Sequence, residues 1–300
     1  ANTQYFDQPN DKPGVLKQVG HTRAERLDTQ PHPPSDIAPL GTLPFQYDVF
    51  HTLVWGTRDA FQFGLSVVLL AGAFGVIFGA VAGYAGGTLN SLMMRIADAF
   101  LAFPVIAGVV FLNQLRAIAV EATGGTYIFG LPSNPNVVGP VIDVVGPLTP
   151  IQILLGLIDP LMLSLILFSW MPYARLVNAT VISLKSAEFI QSSRALGASS
   201  FRTIFRHLIP NSLAPSIVLM ARDVGGIVIL QATLTFIHLG GNSPWGDVLS
   251  MGRDWVINPG GGIFLYWWVI VPATVAVMLF AIAWNLLGDG LNDLFDPHWF

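Results

Sequence analysis

The 300-residue chain is 53% hydrophobic and only 11% charged, with a mean hydropathy of +0.60. Because soluble domains carry roughly 25% charged residues, this composition predicts an integral membrane protein. Its net charge of −4, from 14 Lys and Arg against 18 Asp and Glu, gives no sign of a nucleic-acid-binding surface. The lack of cysteine excludes disulfides and thiolate chemistry.

Five stretches of the chain are long and apolar enough to cross a bilayer, since a helical span needs about 20 mostly apolar residues. They are rich in Leu, Val, Ile, Phe, Ala and Gly, without the alternation of barrel strands. In chain order they are residues 62–84, 96–115, 151–171, 213–234 and 264–287. The sequence therefore predicts an all-α membrane bundle with five visible spans.

Small residues recur every four positions in the first predicted span. They are Gly75, Gly79, Gly83 and Gly87, and Ala71 extends the row. On a helix this spacing places the small residues in a row along one face, and this ridge lets another backbone approach closely. We predict that the ridge packs against another helix inside the bundle.

Charged residues near the spans give no sign of catalysis or ion coupling. Each is placed near the end of a predicted span, where capping or a side chain that reaches the interface accounts for it. These residues are Asp98, Asp159, Arg222, Asp223 and Asp289. With no motif for phosphate or metal binding and no nucleophile beside a base, the sequence predicts neither an enzyme nor a cofactor site in this chain.

The distribution of basic residues predicts which segments face the cytoplasm, because cytoplasmic loops carry an excess of Lys and Arg. Residues 172–210 hold such an excess, whereas residues 117–150 hold no Lys or Arg and residues 240–262 hold only Arg253. The basic residues of 172–210 are Arg175, Lys185, Arg194, Arg202 and Arg206, against the single acid Glu188.

This distribution gives a predicted topology. Residues 1–60 and the loops 117–150 and 240–262 are expected outside, whereas 186–211 and the tail 291–300 are expected in the cytoplasm. With three visible spans before residue 186, a chain made in the cytoplasm would need one further span before residue 1. We therefore expect six spans in the gene product.

Residues 186–211 form a polar, basic stretch in an otherwise apolar chain, and we call them the polar island. Its first part has residues at spacings of three and four, which places them on one side of a short helix. They are Phe189, Ile190, Ser193 and Leu196. Gly197 follows and is suited to the left-handed residue that ends such a helix.

The second part of the polar island also has a helical pattern. Ser199 or Ser200 can cap this helix, and Pro210 is expected to end it. Its apolar face, opposite Arg202 and Arg206, consists of Phe201, Ile204, Phe205 and Leu208. The pattern predicts a helical hairpin across the cytoplasmic face. By itself it also allows a hairpin that rests on anionic lipid, or a plain connection between spans.

The polar island resembles the EAA-x3-G-x9-I-x-L-P loop of type I ABC importer permeases. The sequence around the polar island resembles even more closely the C-type permeases of dipeptide, oligopeptide and nickel importers. The matching residues of the loop are Gln191-Ser192-Ser193, Gly197 and His207-Leu208-Ile209-Pro210. Other similar segments, in order, are PLGT (39–42), WGTR (55–58), AGYAGG (82–87), MMRIADAFLAFP (93–104), PYARLV (172–177), SPWG (243–246) and NLLGDGLNDLFDP (285–297).

This resemblance implies a type I ABC importer permease in the cytoplasmic membrane of a prokaryote, with residues 61–290 as its transmembrane domain. It implies import of di- or oligopeptides or a similar solute, with ATP and Mg held by partner subunits. The implied partners are a homologous B-type permease, two ABC ATPase subunits and an extracytoplasmic solute-binding protein. The residues implied to contact an ATPase are Glu188, Gln191, Ser192, Ser193, Arg194, Ala195, Leu196, Gly197, Ala198 and Phe201.

The chain also departs from the family pattern. Gln191-Ser192-Ser193 stands where Glu-Ala-Ala is usual, so an acidic contact is lost or is supplied by Glu188. Leu43, Gln46 and Tyr47 replace the usual Asp, Gly and Arg, and the loop 117–150 is long. The sequence leaves nickel or oligosaccharide open as the substrate. A secondary transporter is the alternative from another class, and it would show broken helices in matched halves or charges at mid-membrane.

Overall fold

The computed structural model describes residues 17–19, 25, 27–122, 159–257 and 261–295, and these are mostly helical. The positive φ angles of Gly86 and Gly87 separate the first two helices. In chain order the helices are α1 Val49–Ala85, α2 Gly87–Leu101, α3 Val105–Ala122, α4 Pro160–Ser169, α5 Met171–Leu184, α6 Glu188–Ala195, α7 Ser200–Thr203, α8 Ile209–Phe236, α9 Pro244–Ile257 and α10 Val271–Phe295.

A two-stranded antiparallel hairpin precedes α1. Strand β1 (Thr42–Leu43) pairs with β2 (Tyr47–Asp48) around a short 3-10 turn, Pro44–Gln46. Phe45 and Gln46 have positive φ angles of 62° and 58°, which close this turn. The hairpin is a small exception to the predicted all-α fold. It leads directly into α1, so residue 60, the predicted end of the outer segment, lies inside a helix.

Four helical segments are long and apolar enough to span a membrane. They are Val49–Ala85, Pro160–Leu184, Ser200–Phe236 and Val271–Phe295, and a bent pair, Gly87–Leu101 with Val105–Gln114, makes up to five. The membrane bundle predicted from composition is therefore confirmed. Most of the spans are longer than the apolar stretches alone indicated, because polar residues at their ends continue the helices.

The second predicted span, 96–115, is not one straight helix. Its two halves are bent by 75° at the break between Leu101 and Val105. Pro104 explains this break, because proline removes a backbone donor and disfavours helical geometry in the residue before it. Residues 117–122 belong to α3 rather than to the predicted loop, and the rest of that loop lies outside the described residues.

Three other predicted boundaries are wrong. The third span runs over Pro160–Leu184, so residues 172–184 are helix rather than loop, and residues 151–158 lie outside the described residues. The last span begins at Val271 rather than at residue 264, after a 3-10 turn at Trp267–Val269. The predicted loop 240–262 contains helix α9.

The chain divides into two compact units with separate cores. Unit 1 comprises Ala1–Ser66 and Ala221–Gly290, and unit 2 comprises Val67–Met220 and Leu291–Phe300. The core of unit 1 joins β1 to α9 and α10 through Leu43, Val49, Val248, Trp268, Val269 and Ala273. A core of unit 2 joins α1, α5 and the polar island through Val76, Ala80, Val177, Val181, Ile190, Ile204 and Leu208.

Candidate functional site

The first helix of the polar island, α6, ends as the sequence predicts. Gly197 has a φ of +83°, and its N–H donates to Arg194 O at 3.0 Å. The next N–H, of Ala198, donates to Ser193 O at 3.1 Å. These bonds satisfy carbonyls at the end of α6, and the left-handed backbone is favourable for glycine. The chain reverses here and presents the tip of a hairpin.

The second helix, α7, begins at a serine cap. Ser199 Oγ accepts a hydrogen bond from the N–H of Arg202 at 3.3 Å, and Thr203 Oγ1 donates to Ser199 O at 3.1 Å. The expected cap is therefore Ser199 rather than Ser200. The cap fixes where the hairpin turns back towards the bundle.

The prediction that Pro210 ends the second helix is wrong. A π-helical turn, Ile204–Leu208, connects α7 to α8, and the helix continues through Pro210 to Phe236. The wider turn relieves the clash between a proline ring and the preceding carbonyls. Asn211 Nδ2 donates to His207 O at 2.6 Å and satisfies one carbonyl beside the proline. A continuous helical path therefore leads from the hairpin into a membrane span.

The apolar residues of the polar island divide into two groups. Ile190, Ile204 and Leu208 are buried in the core of unit 2 and anchor the hairpin. Leu196 and Phe201, by contrast, are 89% and 70% exposed. The predicted apolar faces are thus only partly buried. Phe189 and Phe205 are exposed as well.

Most of the residues expected to contact a partner lie on the surface of this hairpin. Ser193 and Ala198 are half-buried, and Gln191 Nε2 donates to Ser186 O at 2.9 Å. The exposed members are Glu188, Gln191, Ser192, Arg194, Ala195, Leu196, Gly197 and Phe201. The hairpin therefore exposes most of these residues, including the apolar side chains of Leu196 and Phe201.

Sequence reasoning missed a residue that contacts the hairpin from α1. The Tyr84 hydroxyl donates to Ser200 Oγ at 3.2 Å, and Arg194 lies over the Tyr84 ring at 5.3 Å from its centroid. Lys185 Nζ lies 5.6 Å from the same centroid and donates to Tyr84 O at 2.5 Å. The signal was present in AGYAGG, which places a tyrosine at the end of the first span.

Three of the four ridge glycines lie against α5 or the residue before it. A Cβ at Gly75 would collide with Trp170 O, one at Gly79 with Ala174 O, and one at Gly83 would lie 3.0 Å from Asn178 O. Gly87 does not belong to this contact, since a Cβ there would meet nothing within 4 Å. The break at Gly86 and Gly87 turns the chain away from the ridge.

Two ion pairs lie on the candidate spans. Arg175 on α5 pairs with Asp98 on α2, and Arg222 on α8 pairs with Asp289 on α10. The sequence placed the charged residues of the spans near span ends, and this is wrong for Arg222 and Asp223, which lie near the middle of α8. Asp159, by contrast, caps α4, accepting a hydrogen bond from Leu161 N at 2.8 Å.

An acidic residue on α9 has a perturbed titration. Burial, together with the nearby carboxylate of Asp59, raises the pKa of Asp247 to about 6. Gly246, beside it, packs so closely that a Cβ there would lie 2.7 Å from Ala232 O. Gln231 Nε2 donates to Asp59 at 3.2 Å.

Within the described ranges, no group of three potential metal ligands occurs.

These apolar spans, joined by a polar helical hairpin, define a multi-pass membrane protein with a surface suited to a partner. Residues 75–300 match the family of "Binding-protein-dependent transport system inner membrane component". The chain belongs to this family. It is a permease component of a transport system and a multi-pass protein of the cytoplasmic membrane.

Several known proteins are similar to the chain. The dipeptide transport system permease protein DppC of Alkalihalophilus pseudofirmus is 34% identical over 261 residues, covering 86% of this chain and 71% of that protein. The glutathione transport system permease protein GsiD of Pectobacterium atrosepticum is 32% identical over 268 residues, covering 88% and 74%. An inward-facing structure of the MetNI methionine ABC transporter has a TM-score of 0.45 and 16% identity, covering 79% of this chain and 97% of that one.

Proposed function

We propose that the protein is the permease subunit of an ATP-driven, binding-protein-dependent importer, and that the polar island is the surface through which a cytoplasmic ATPase drives it. The observation that carries this proposal is the exposed hairpin, whose tip continues through α7 and the π-helical turn into the membrane span of α8. A force on the tip would reach the membrane without passing through an unstructured linker.

The surface of the hairpin fits a protein partner better than lipid. Leu196 and Phe201 are 89% and 70% exposed, and burying such a side chain is worth about 1.5–3 kcal/mol. The same hairpin exposes Glu188, Arg194 and Arg202, which supply charges of both signs. A central apolar contact with a polar rim is the usual anatomy of a protein interface. A hairpin that rested on anionic lipid would favour basic residues alone.

Peptides are the proposed substrate class. Relatives that match most of the chain are a dipeptide permease, a glutathione permease and a probable D,D-dipeptide permease from Escherichia coli, the last 28% identical. Glutathione is itself a small peptide. The proposed partners are a homologous second permease, two ATPase subunits and a solute-binding protein, with the island on the cytoplasmic side.

The decisive experiment is purification of the full-length, tagged protein from its native membrane in mild detergent, followed by mass spectrometry. We expect a second permease, ATPase chains and a binding protein that carries a peptide. A lone chain or a homo-oligomer would overturn the importer assignment. A binding protein loaded with nickel or an oligosaccharide would keep the importer and overturn the peptide assignment.

Uptake by reconstituted vesicles tests transport directly. Proteoliposomes containing the purified complex, with the binding protein outside and ATP inside, are expected to accumulate a labelled dipeptide. The matched control contains a non-hydrolysable ATP analogue in place of ATP. Equal accumulation in the two preparations would overturn an ATP-driven mechanism.

A further inference from the structure

Tyr84 joins the end of α1 to both helices of the hairpin. Its hydroxyl bonds to Ser200 Oγ at the start of α7, and its ring lies under Arg194 in the last turn of α6. Lys185, which follows α5, contacts the ring and also bonds to the Tyr84 carbonyl. One side chain therefore touches the chain before, within and after α6.

The contacts of Tyr84 add to the few apolar contacts that hold α6 and α7 against the bundle. Helix α6 buries one side chain, Ile190, and α7 buries one, Thr203. Both helices are short, and a helix of eight residues or fewer depends on tertiary contacts for its stability. The polar and cation–π contacts of Tyr84 therefore contribute substantially to the orientation of the hairpin.

The helix that carries Tyr84, α1, is long and closely packed. Helix α1 runs unbroken over Val49–Ala85, and Tyr84 is its second-last residue. Gly79 and Gly83 hold the last turns of α1 in close contact with the backbone of α5. A displacement of the hairpin that reached Tyr84 would therefore act on a stiff, well-packed membrane helix rather than on a loop.

We propose that Tyr84 is a positioning residue that fixes the hairpin to α1, so that movement imposed on the hairpin is transmitted to this span as well as to α8. The inference rests on the proposed function, because it takes an ATPase as the source of that movement. The contacts between Tyr84 and the hairpin belong to this chain alone, and their effect on the hairpin can be measured separately.

Two substitutions separate the contacts of Tyr84. Tyr84→Phe removes the hydroxyl bond to Ser200 and keeps the aromatic ring under Arg194, whereas Tyr84→Leu removes both. Phe78→Leu is the matched control on the same helix, since the Phe78 ring packs on Trp170, with centroids 4.8 Å apart, rather than on the hairpin. The buried anchors Ile190, Ile204 and Leu208 remain in all three variants.

The first readout is amide hydrogen exchange, measured by mass spectrometry on the intact purified transporter. Tyr84→Leu is expected to speed exchange over residues 186–203 by about tenfold, with a smaller effect for Tyr84→Phe and none for Phe78→Leu. Unchanged exchange over these residues in Tyr84→Leu would contradict the proposal that Tyr84 fixes the hairpin to α1. So would faster exchange spread equally over α1 and α5, which would indicate a general loss of packing.

The second readout is the ratio of peptide transported to ATP hydrolysed in proteoliposomes. We expect Tyr84→Leu to lower this ratio at least about threefold, with Tyr84→Phe intermediate. A looser hairpin with an unchanged ratio would overturn the transmission role. If no ATPase belongs to the complex, the proposed function fails, yet the exchange result still decides whether Tyr84 positions the hairpin.

Discussion

Arg222 on α8 donates a hydrogen bond through Nη2 to Oδ1 of Asp289 on α10, at 2.6 Å. The two side chains are 45% and 62% exposed. Arg222 lies next to Asp223 inside a candidate span, between apolar stretches, so exposure of these charges to acyl chains would be costly. This face of unit 1 is therefore expected to meet protein or water rather than lipid.

Replacing one residue of this ion pair should destabilise the protein more than replacing both. Asp289→Leu removes the carboxylate that Arg222 contacts, and a charge that loses its partner inside a candidate span costs on the order of 2–3 kcal/mol on insertion scales. The double variant Arg222→Leu with Asp289→Leu removes both charges and should recover most of the loss. Thermal unfolding of the purified protein in detergent measures both variants. An equal melting temperature for the two would contradict this coupling.

The glycine ridge makes a second prediction about stability. Gly79→Ala should destabilise unit 2 by about 1–3 kcal/mol, because its Cβ would be forced against the backbone of Ala174. Gly226→Ala is the control, since a Cβ there meets nothing within 4 Å and alanine favours a helix. Melting temperatures report both effects. A harmless Gly79→Ala would show that α1 and α5 separate easily.

Apolar length and composition were sufficient to predict the bundle and its approximate spans. They could not show the 75° break beside Pro104 or the helix that continues past Pro210. In the first case proline interrupts a span, and in the second a π-helical turn accommodates it. Which outcome occurs depends on tertiary packing around the proline, and a single sequence does not encode that in its periodicity.

The hairpin was more predictable than its surroundings. Gly197 and Ser199 act through local backbone geometry, which sequence motifs describe well. Tyr84 was not foreseen because its partner Ser200 is 116 residues away along the chain. Apolar periodicity also could not distinguish Ile190, which is buried in the bundle, from Leu196, which protrudes from it. That distinction depends on the path of the whole hairpin.

Gly197 gives a prediction about coupling. Its φ of +83° disfavours a β-branched residue by about 1–2 kcal/mol, although a Cβ there meets nothing within 4 Å. Gly197→Val should therefore distort the hairpin tip and lower transport per ATP hydrolysed, while the amount of protein in the membrane stays normal.

Gly197→Asn is the matched control for that experiment. Asparagine is close to valine in size but tolerates the left-handed region, so this variant should transport close to normally. Transport and substrate-stimulated ATPase activity, measured in the same proteoliposomes, compare the two. Normal coupling in Gly197→Val would contradict the role of the tip, and equal defects in both variants would indicate a steric rather than a conformational effect.

Asp247 predicts a pH dependence of stability in unit 1. Its pKa is raised from an ordinary value of 3.8 to about 6 by burial and by the carboxylate of Asp59. The folded state therefore binds a proton more tightly than the unfolded state between these values. It follows that stability from this group is fully present below about pH 4 and is lost as the pH rises through about 6.

Replacing Asp247 should remove that dependence. Asp247→Asn keeps the shape of the side chain without the charge, and it should stabilise the protein at pH 8 by about 2–3 kcal/mol, as a shift of about two pKa units implies. At pH 4 the variant and the original protein should differ by less than about 1 kcal/mol, because the carboxyl of the folded original protein is then almost fully protonated. Thermal unfolding between pH 4 and pH 8 compares the two proteins. Parallel stability profiles across this range would show that Asp247 ionises without cost, and that its carboxylate is solvated rather than confined beside Asp59.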